Sequence, residues 1–188
     1  SLTELGIPVL LVNPESQELL TEMIELVSTA TNTQERANEL LSYIASQKSM
    51  LSDTLADTEP KSVYLAGNSS LLSTAGPAMY QSSMIELAGG KYVPEDTGES
   101  DNALSTMNMQ MEEFYAKAKD ADYIIYNSTI DGELSTIDEL LAKSNLLADF
   151  KAVKDGNVWC TGKNLFQETT ELGTMIEDIH TCLLYTSP

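Results

Sequence analysis

The sequence has few of the residues that build metal sites and disulfide frameworks. It contains two cysteines, Cys160 and Cys182, and one histidine, His180. Two cysteines are too few for a disulfide framework, and without a CxxC motif they indicate no zinc or haem-attachment site. Cys160 lies in the strand-like run VWC, which favours a buried, inert thiol. His180 stands alone on the last predicted helix, where we expect a structural or solvent-facing role.

Basic residues are also scarce. Ten Lys and Arg stand against 29 Asp and Glu, which gives a net charge of −19. This charge argues against a nucleic-acid or anionic-membrane partner and is typical of a solvated acidic surface. No apolar run approaches the ~20 residues needed to cross a bilayer. The opening SLTELGIPVLLVNPES has no signal-peptide pattern and reads as if it starts mid-domain, so we expect part of a longer protein.

Motifs for catalysis and nucleotide binding are missing as well. The predicted loop 67–76 has neither the GK[ST] ending of a phosphate-binding loop nor a GxGxxG pattern. The carboxylate pairs Asp120/Asp122 and Glu112/Glu113 are expected to be helix-end and surface charges rather than an acid–base pair. We therefore predict no catalytic residue and no resident metal or cofactor.

The stretch Lys61–Gly90 reads as strand, loop and helix in immediate succession. Val63 to Ala66 is rich in β-formers, and Gly67 to Gly76 is a loop of small polar residues. Pro77 suits the first position of a helix that Gly89-Gly90 ends. The free N–H groups at such a helix start could favour an anionic ligand group.

Before this stretch, the apolar run Ile7 to Val12 predicts a buried strand and SQELLTEMIELVSTA a helix. Asn32, with Glu35 three residues later, is predicted to cap a second helix that runs to about Ala56. That helix of roughly 24 residues would be about 36 Å long, enough to span two lobes. A coiled coil is the alternative, but the apolar pattern does not keep a 3.5-residue period for enough heptads.

After this stretch, strands are predicted at 91–93, 123–126 and 157–160, with helices between them. MNMQMEEFYAKAKDADYIIYNS reads as a helix leading into a strand, Thr136 or Ser135 opens another helix, and the last begins near Thr169 or Thr170. This order predicts an α/β domain with a largely parallel sheet. Ligands bind beyond the carboxyl ends of such strands. The loops that should converge there are 67–76, 127–132 and 161–167.

The order of these elements resembles a known family. The features are GIPV before a helical pair, a long helix ending at EPKSVY, the run STAGPAMYQSSMIELAGG, a helix followed by DAD and a strand, and FKAVKDGNVW before the final loop. They resemble the substrate-binding proteins of ABC importers for iron–siderophores, haem and cobalamin, in which one long helix joins two α/β lobes. The resemblance covers residues 6 to about 180.

The resemblance implies that the chain carries a remnant of an N-terminal lobe (1–32), the connecting helix (33–59) and a C-terminal α/β lobe (60–188). The final LLYTSP, residues 183–188, could be a non-native tail. It also implies a monomeric extracytoplasmic protein, in the periplasm or as a cell-surface lipoprotein, that passes a metal chelate to a membrane permease.

In such a protein the strand-end loops of this lobe would contact the ligand. The candidate ligand-binding residues are Ser73, Thr74, Tyr80, Asn127, Lys163, Phe166 and Gln167. Hydroxyls and amides suit the oxygen-rich periphery of a siderophore, and aromatic rings suit a macrocycle or catechol. The alternatives remain that Tyr80 and Phe166 are core residues and that Ser73 and Thr74 are ordinary loop residues.

The family also implies permease docking through an acidic residue on the helix before the DAD segment, for which Glu113 and its neighbour Glu112 are the candidates. The alternative is that both are solvated surface carboxylates. A different function is also open, since a small α/β enzyme could hold a phosphorylated substrate at loop 67–76. In a third, the fragment binds nothing by itself because half of the cleft lies elsewhere.

Overall fold

Four short strands pair side by side to form the central sheet. The computed structural model describes residues 2–12, 14, 16–55, 59–67, 73–75, 80–94, 106–108, 110–163, 165 and 172–185. Within these residues the sheet has the order β3-β1-β5-β6, and every neighbouring pair is parallel. Its strands are β1 Lys61–Ala66, β3 Gly90–Val93, β5 Tyr123–Tyr126 and β6 Val158–Cys160. The predicted α/β class with a parallel sheet is confirmed.

Helices cover both faces of this sheet. They are α1 Gln17–Thr31, α2 Gln34–Leu55, α3 Tyr80–Leu87, α4 Met111–Ala118, α5 Ile137–Lys143, α6 Lys151–Lys154 and α7 Leu172–Tyr185. Short 3-10 turns lie at Thr3–Leu5 and Asn145–Asp149. None of the described helices combines the length and the apolar composition that a membrane span requires.

The predicted strand at Ile7 to Val12 is wrong. These residues form no strand, and Leu11 is 92% exposed. A strand needs a neighbour to satisfy its backbone N–H and C=O groups, and none of the described strands pairs with this segment. An apolar run alone therefore does not make a strand here.

The predicted cap at Asn32 is also wrong. Asn32 adopts a left-handed conformation with φ of 56° and ends α1, where its N–H donates to the carbonyls of Ser28 and Thr29. Asparagine tolerates this conformation better than most residues, so it serves as a helix C-cap. A capping box does occur at α5, where the Thr136 hydroxyl accepts from the Glu139 N–H at 3.2 Å and the Glu139 carboxylate accepts from the Thr136 N–H.

A second, two-stranded sheet lies where the sequence predicts a loop and a helix. β2 Ser73–Ala75 pairs antiparallel with β4 Thr106–Asn108, and Thr74 lies opposite Met107. Each strand has three residues, too few for a recognisable period, and the pairing joins segments that are far apart in the sequence. Pro77, Thr169 and Thr170, which carry the predicted starts of α3 and α7, lie outside the described residues.

The sheet separates two apolar clusters because successive side chains of a strand point to opposite faces. Val63 and Leu65 face a cluster that includes Leu20 of α1 and Ile44 of α2 together with α3 and α7. Tyr64 and Ala66 face the other cluster, built with α4, α5 and α6. Burial raises the pKa of the Tyr64 phenol far above its ordinary value, so this ring stays uncharged.

The long helix α2 lies against α7 at a glycine. A Cβ atom built on Gly173 would lie 2.7 Å from Cγ of Gln47 and 3.3 Å from Cε1 of Tyr43. The missing side chain therefore allows the two helices to approach closely. α2 has 22 residues, about 33 Å at 1.5 Å per residue, close to the predicted length.

The half-buried carboxylate of Asp122 stabilises the amino-terminal edge of the sheet. Asp122 accepts hydrogen bonds from the Ser62 N–H at 2.9 Å, from the Ser62 hydroxyl at 2.8 Å and from the Lys151 ammonium. Burial alone would raise the pKa of Asp122, but the bonds from Lys151 and Ser62 outweigh it and lower the pKa from 3.8 to about 2. The same pair raises the pKa of Lys151.

Because the folded state lowers the pKa of Asp122, this carboxylate stabilises the fold above about pH 4, and that stabilisation is lost as the pH falls toward 2. We expect Asp122→Asn to lower the free energy of unfolding by about 1–2 kcal/mol at pH 7 and by less at about pH 2.5. Urea unfolding at the two pH values measures this.

Asp155→Asn is the matched control for this prediction. The Asp155 carboxylate lies 3.8 Å from the same Lys151 ammonium but is half exposed. Its loss should change the free energy of unfolding by less than about 0.5 kcal/mol. Equal effects of the two substitutions would contradict the assigned role of Asp122.

Candidate functional site

The carboxyl ends of three neighbouring strands are tied together by hydrogen bonds. The Asn127 N–H donates to the Ala66 carbonyl at 2.7 Å, and the Thr161 N–H donates to the Tyr126 carbonyl at 2.9 Å. The Ser128 N–H donates to the Thr161 hydroxyl at 3.2 Å. The loops that follow β1, β5 and β6 thus begin at one edge, which we call the rim. Their predicted convergence is confirmed for the described residues.

Gly67 begins the first of these loops in a conformation that only glycine adopts easily. Its φ is +90°, and a Cβ atom there would lie 3.0 Å from the Asn127 carbonyl oxygen and 3.1 Å from the Tyr126 ring. A side chain would meet both backbone strain and a steric contact. Because Gly67 has no side chain, the backbone can pass close to the end of β5 as it leaves β1.

The β5 loop places buried polar groups at the rim. The Asn127 side-chain oxygen accepts from the Thr129 N–H at 3.0 Å, which fixes the turn. The buried hydroxyl oxygens of Ser128 and Thr129 have no hydrogen-bond partner in the described part of the protein. Buried hydroxyls are normally satisfied by protein, water or ligand. These two groups escaped sequence analysis, although their position directly after a buried strand was a usable signal.

The predicted ligand-binding residues fall in different surroundings. Thr74 is fully buried, and its hydroxyl donates to the Leu65 carbonyl at 2.7 Å and accepts from the Tyr92 hydroxyl. Asn127 is fully buried in the turn at the rim, whereas Lys163 is exposed three residues after β6. Ser73 begins β2 and Tyr80 begins α3. Phe166 and Gln167 lie outside the described residues.

The two candidate docking residues lie in the first turn of α4. Glu112 and Glu113 are both exposed, and the Glu113 carboxylate lies 2.9 Å from the Lys117 ammonium. Because α4 leads into the amino end of β5, its own first turn lies toward the carboxyl edge of the sheet. Both carboxylates are therefore placed on the same side of the domain as the rim.

A cavity of about 240 Å³ lies beside the rim, between the sheet and the helices α3 and α7. Its apolar walls come from both strands and helices, and Thr161 and Gly162 form part of the wall next to the rim. Trp159 and Asp178 also line it and are exposed to solvent. The cavity is thus an apolar recess that reaches the surface.

The histidine and the cysteine of the VWC run have structural surroundings. His180 is 7% exposed, and its Nδ1 donates to the Ala88 carbonyl at 2.9 Å, which joins α7 to the end of α3. The Cys160 sulfur accepts from the Leu134 N–H and is half-buried rather than buried. Among the residues described, no group of three His, Cys, Asp or Glu side chains is arranged to hold a metal ion.

A family model described as periplasmic binding protein matches residues 1–165 of the chain. The chain belongs to the periplasmic binding protein family. This confirms the family resemblance drawn from the order of the elements, and the parallel sheet with helices on both faces is the fold of this family. An extracytoplasmic location follows from membership of the periplasmic binding proteins. No match is found among curated proteins.

Solved structures of other binding proteins share the fold. The haem-binding protein HutB of Vibrio cholerae matches with a TM-score of 0.76 and 20% identity over 97% of this chain and 70% of its own. Staphylococcus aureus IsdE, solved with haem, matches with a TM-score of 0.76 and 15% identity over the same shares. Haemophilus influenzae MolA, solved with molybdate, matches with a TM-score of 0.75 and 16% identity over 97% of this chain and 60% of its own. The chain thus spans 60–70% of these proteins.

The hydroxyl of Thr161 holds the second and third loops of this periplasmic binding protein together. Thr161→Val removes the acceptor of the buried Ser128 N–H, so we expect the free energy of unfolding to fall by about 1–2 kcal/mol. Thr161→Ser retains the hydroxyl and should lose less than half as much. Urea unfolding of both variants measures the difference, and equal stabilities would show that the hydrogen bond contributes nothing.

Proposed function

We propose that this chain is part of the solute-binding component of an ABC importer, which captures its ligand between two lobes and delivers it to a membrane permease. The observation that carries the proposal is the rim: in a chain of the periplasmic binding protein family, three strand-end loops converge at the edge where parallel sheets bind ligands. The reaction is capture and release without chemistry, with the long helix α2 limiting how far the lobes move.

The ligand we propose is an iron–siderophore or a related metal chelate such as haem or cobalamin. HutB is described as a haem-binding protein and IsdE was solved with haem, and the fold that this chain shares with both supports this ligand class. MolA, which was solved with molybdate, has the same fold. Lys163 is the exposed candidate for direct contact, and Asn127 fixes the loop beside it. Ser73, Tyr80, Phe166 and Gln167 complete the proposed surface. The fully buried Thr74 is assigned no direct ligand contact, because its hydroxyl is bonded to the Leu65 carbonyl and the Tyr92 hydroxyl.

We also propose the division into a lobe remnant at 1–32, a connecting helix at 33–59 and a C-terminal lobe at 60–188. The exposed carboxylates of Glu112 and Glu113 would meet basic residues of the permease. An exposed ion pair contributes only ~0–1 kcal/mol, which suits an association that must reverse in every transport cycle.

An absorbance titration tests the proposed function. Ferric siderophore, haem and cobalamin are each added to the 188-residue chain, and a saturable spectral change is expected for one of them. Because the cleft is proposed to need both lobes, the dissociation constant should be weaker than about 1 μM. Submicromolar binding would overturn the need for both lobes. Turnover of a phosphorylated substrate without chelate binding would instead establish the enzyme alternative.

Two lysine variants sharpen this titration. Lys163→Ala removes an exposed charge at the rim and should weaken binding up to about fivefold. Lys154→Ala removes another exposed charge, on α6 next to Asp149, and should leave binding unchanged. If both variants, or neither, weaken binding, the ligand does not sit at the rim.

A further inference from the structure

We propose that the apolar cavity beside the rim receives an uncharged aromatic ring of the bound solute. This inference rests on the proposed solute-binding function. The cavity measures about 240 Å³, and an apolar cavity of about 150 Å³ already admits a benzene ring. Trp159 lines the cavity and is 38% exposed, so solvent reaches this part of its wall. A ring attached to a solute held at the rim can therefore enter from there.

The walls of the cavity favour an apolar, planar group. Leu65 and Ile125 form the side next to the sheet, and Met175 and Ile179 form the side next to α7. Trp159 lies in register with Ile125, so its indole lies on this face of the sheet. Thioether and indole groups make favourable contacts with aromatic rings. An aromatic ring in the cavity would therefore contact Trp159 on the sheet side and Met175 on the helix side.

The polar groups that line the cavity favour an uncharged ring over an anionic one. Asp178 is the one charged side chain among the described residues that line it, and its carboxylate repels an anionic ring. The net charge of −19 acts in the same direction. Gln81 is 5% exposed and supplies an amide that can pair with a phenol hydroxyl. The expected group is therefore a phenol rather than a benzoate.

The sequence contains one tryptophan, Trp159, so tryptophan emission reports on binding next to this side chain. Trp159 lines this cavity and also a second one beside Leu134 and Leu140, and variants in α7 separate the two. Phenol and benzoate are titrated into the 188-residue chain at pH 7 while the Trp159 emission is followed. We expect a saturable change with phenol and at least tenfold weaker binding of benzoate. No saturable change with phenol, or equal binding of the two probes, would overturn the proposal.

Variants separate cavity binding from surface effects. Ile179→Phe fills the cavity and should abolish the phenol response, whereas Glu177→Gln on the exposed side of α7 should retain it. Gly162→Leu is a second filling variant that should fold, because a Cβ atom at Gly162 meets no atom within 4 Å. An unchanged phenol response in both filling variants would overturn the proposal.

The same variants distinguish this inference from the proposed function. A metal chelate that binds the parent chain and Ile179→Phe equally well would leave the solute-binding role standing and would overturn the ring site. If phenol binds the cavity but no chelate binds the chain, the cavity is supported and the proposed ligand class fails.

Discussion

Replacing Phe114 with alanine is expected to lower the free energy of unfolding by about 3–5 kcal/mol, the largest effect among the substitutions considered. Phe114 is fully buried, and its ring centroid lies 5.5 Å from that of Tyr64 and 5.2 Å from that of Phe150. Alanine would leave a cavity between α4 and the sheet and would remove both ring contacts. Since domains have about 5–15 kcal/mol of stability in total, this loss should be visible as partial unfolding at 37 °C.

Urea unfolding followed by circular dichroism measures the effect of Phe114→Ala. Leu146→Ala is the matched control, because Leu146 lies on the same side of the sheet but is 40% exposed. This substitution should lower the free energy of unfolding by less than about 1 kcal/mol. A loss below about 1 kcal/mol for Phe114→Ala would show that this aromatic cluster does not hold α4 on the sheet.

Gly67→Ala is expected to lower the free energy of unfolding by about 2–4 kcal/mol. The positive φ of Gly67 costs roughly 1–2 kcal/mol for any residue with a Cβ atom. The contact with the Asn127 carbonyl at 3.0 Å adds overpacking of similar size, since backbone atoms cannot rotate away. The loop after β1 must then move, so ligand binding at the rim should weaken as well.

Gly156→Ala separates the two costs of Gly67→Ala. Gly156 also has a positive φ, of +75°, but no atom lies within 4 Å of its would-be Cβ position. Gly156→Ala should therefore lower the free energy of unfolding by the backbone strain alone, about 1–2 kcal/mol, and should leave ligand binding unchanged. Equal losses of stability in the two variants would show that the close approach of Gly67 to β5 is unimportant.

The central sheet could be predicted because its strands carry local signals. Tyr123 to Tyr126 is a continuous apolar run bounded by polar residues, and Val63 to Ala66 within β1 has the same character, as buried parallel strands require. The family resemblance rested on the order of these elements and was confirmed by the match to residues 1–165. β2 and β4 were missed because their sequences, STA and TMN, contain no apolar run, and only their pairing with each other marks them as strands.

Two other errors came from signals that fit more than one structure. Asn32 followed by Glu35 suggests a helix start, but an asparagine between two helices can equally end the first, and its φ of 56° shows that it does. The apolar run Ile7 to Val12 suits a strand, yet a strand also needs a neighbour to pair with. Local patterns cannot decide either question.

Site residues could be predicted from the sequence only where they directly follow a strand. Asn127 was named because it comes after β5, whereas the role of Thr161 depends on a hydrogen bond to Ser128, 33 residues earlier. The cavity was missed because Gln81, Trp159 and other residues far apart in the sequence form it together. Only the folded arrangement of α3, β6 and α7 brings them together.

The most direct test of the account is to locate the bound ligand by paramagnetic broadening of backbone amide signals. A ferric siderophore is added to the isotopically labelled chain, and its diamagnetic gallium form provides the reference. We expect broadening of the amides of Gly67, Asn127 and Gly162 at the rim, with those of Ser62 and Asp122 at the opposite edge unchanged. Broadening centred on Ser62 and Asp122, or none at saturating ligand, would contradict the claim that the rim forms one wall of a solute-binding site.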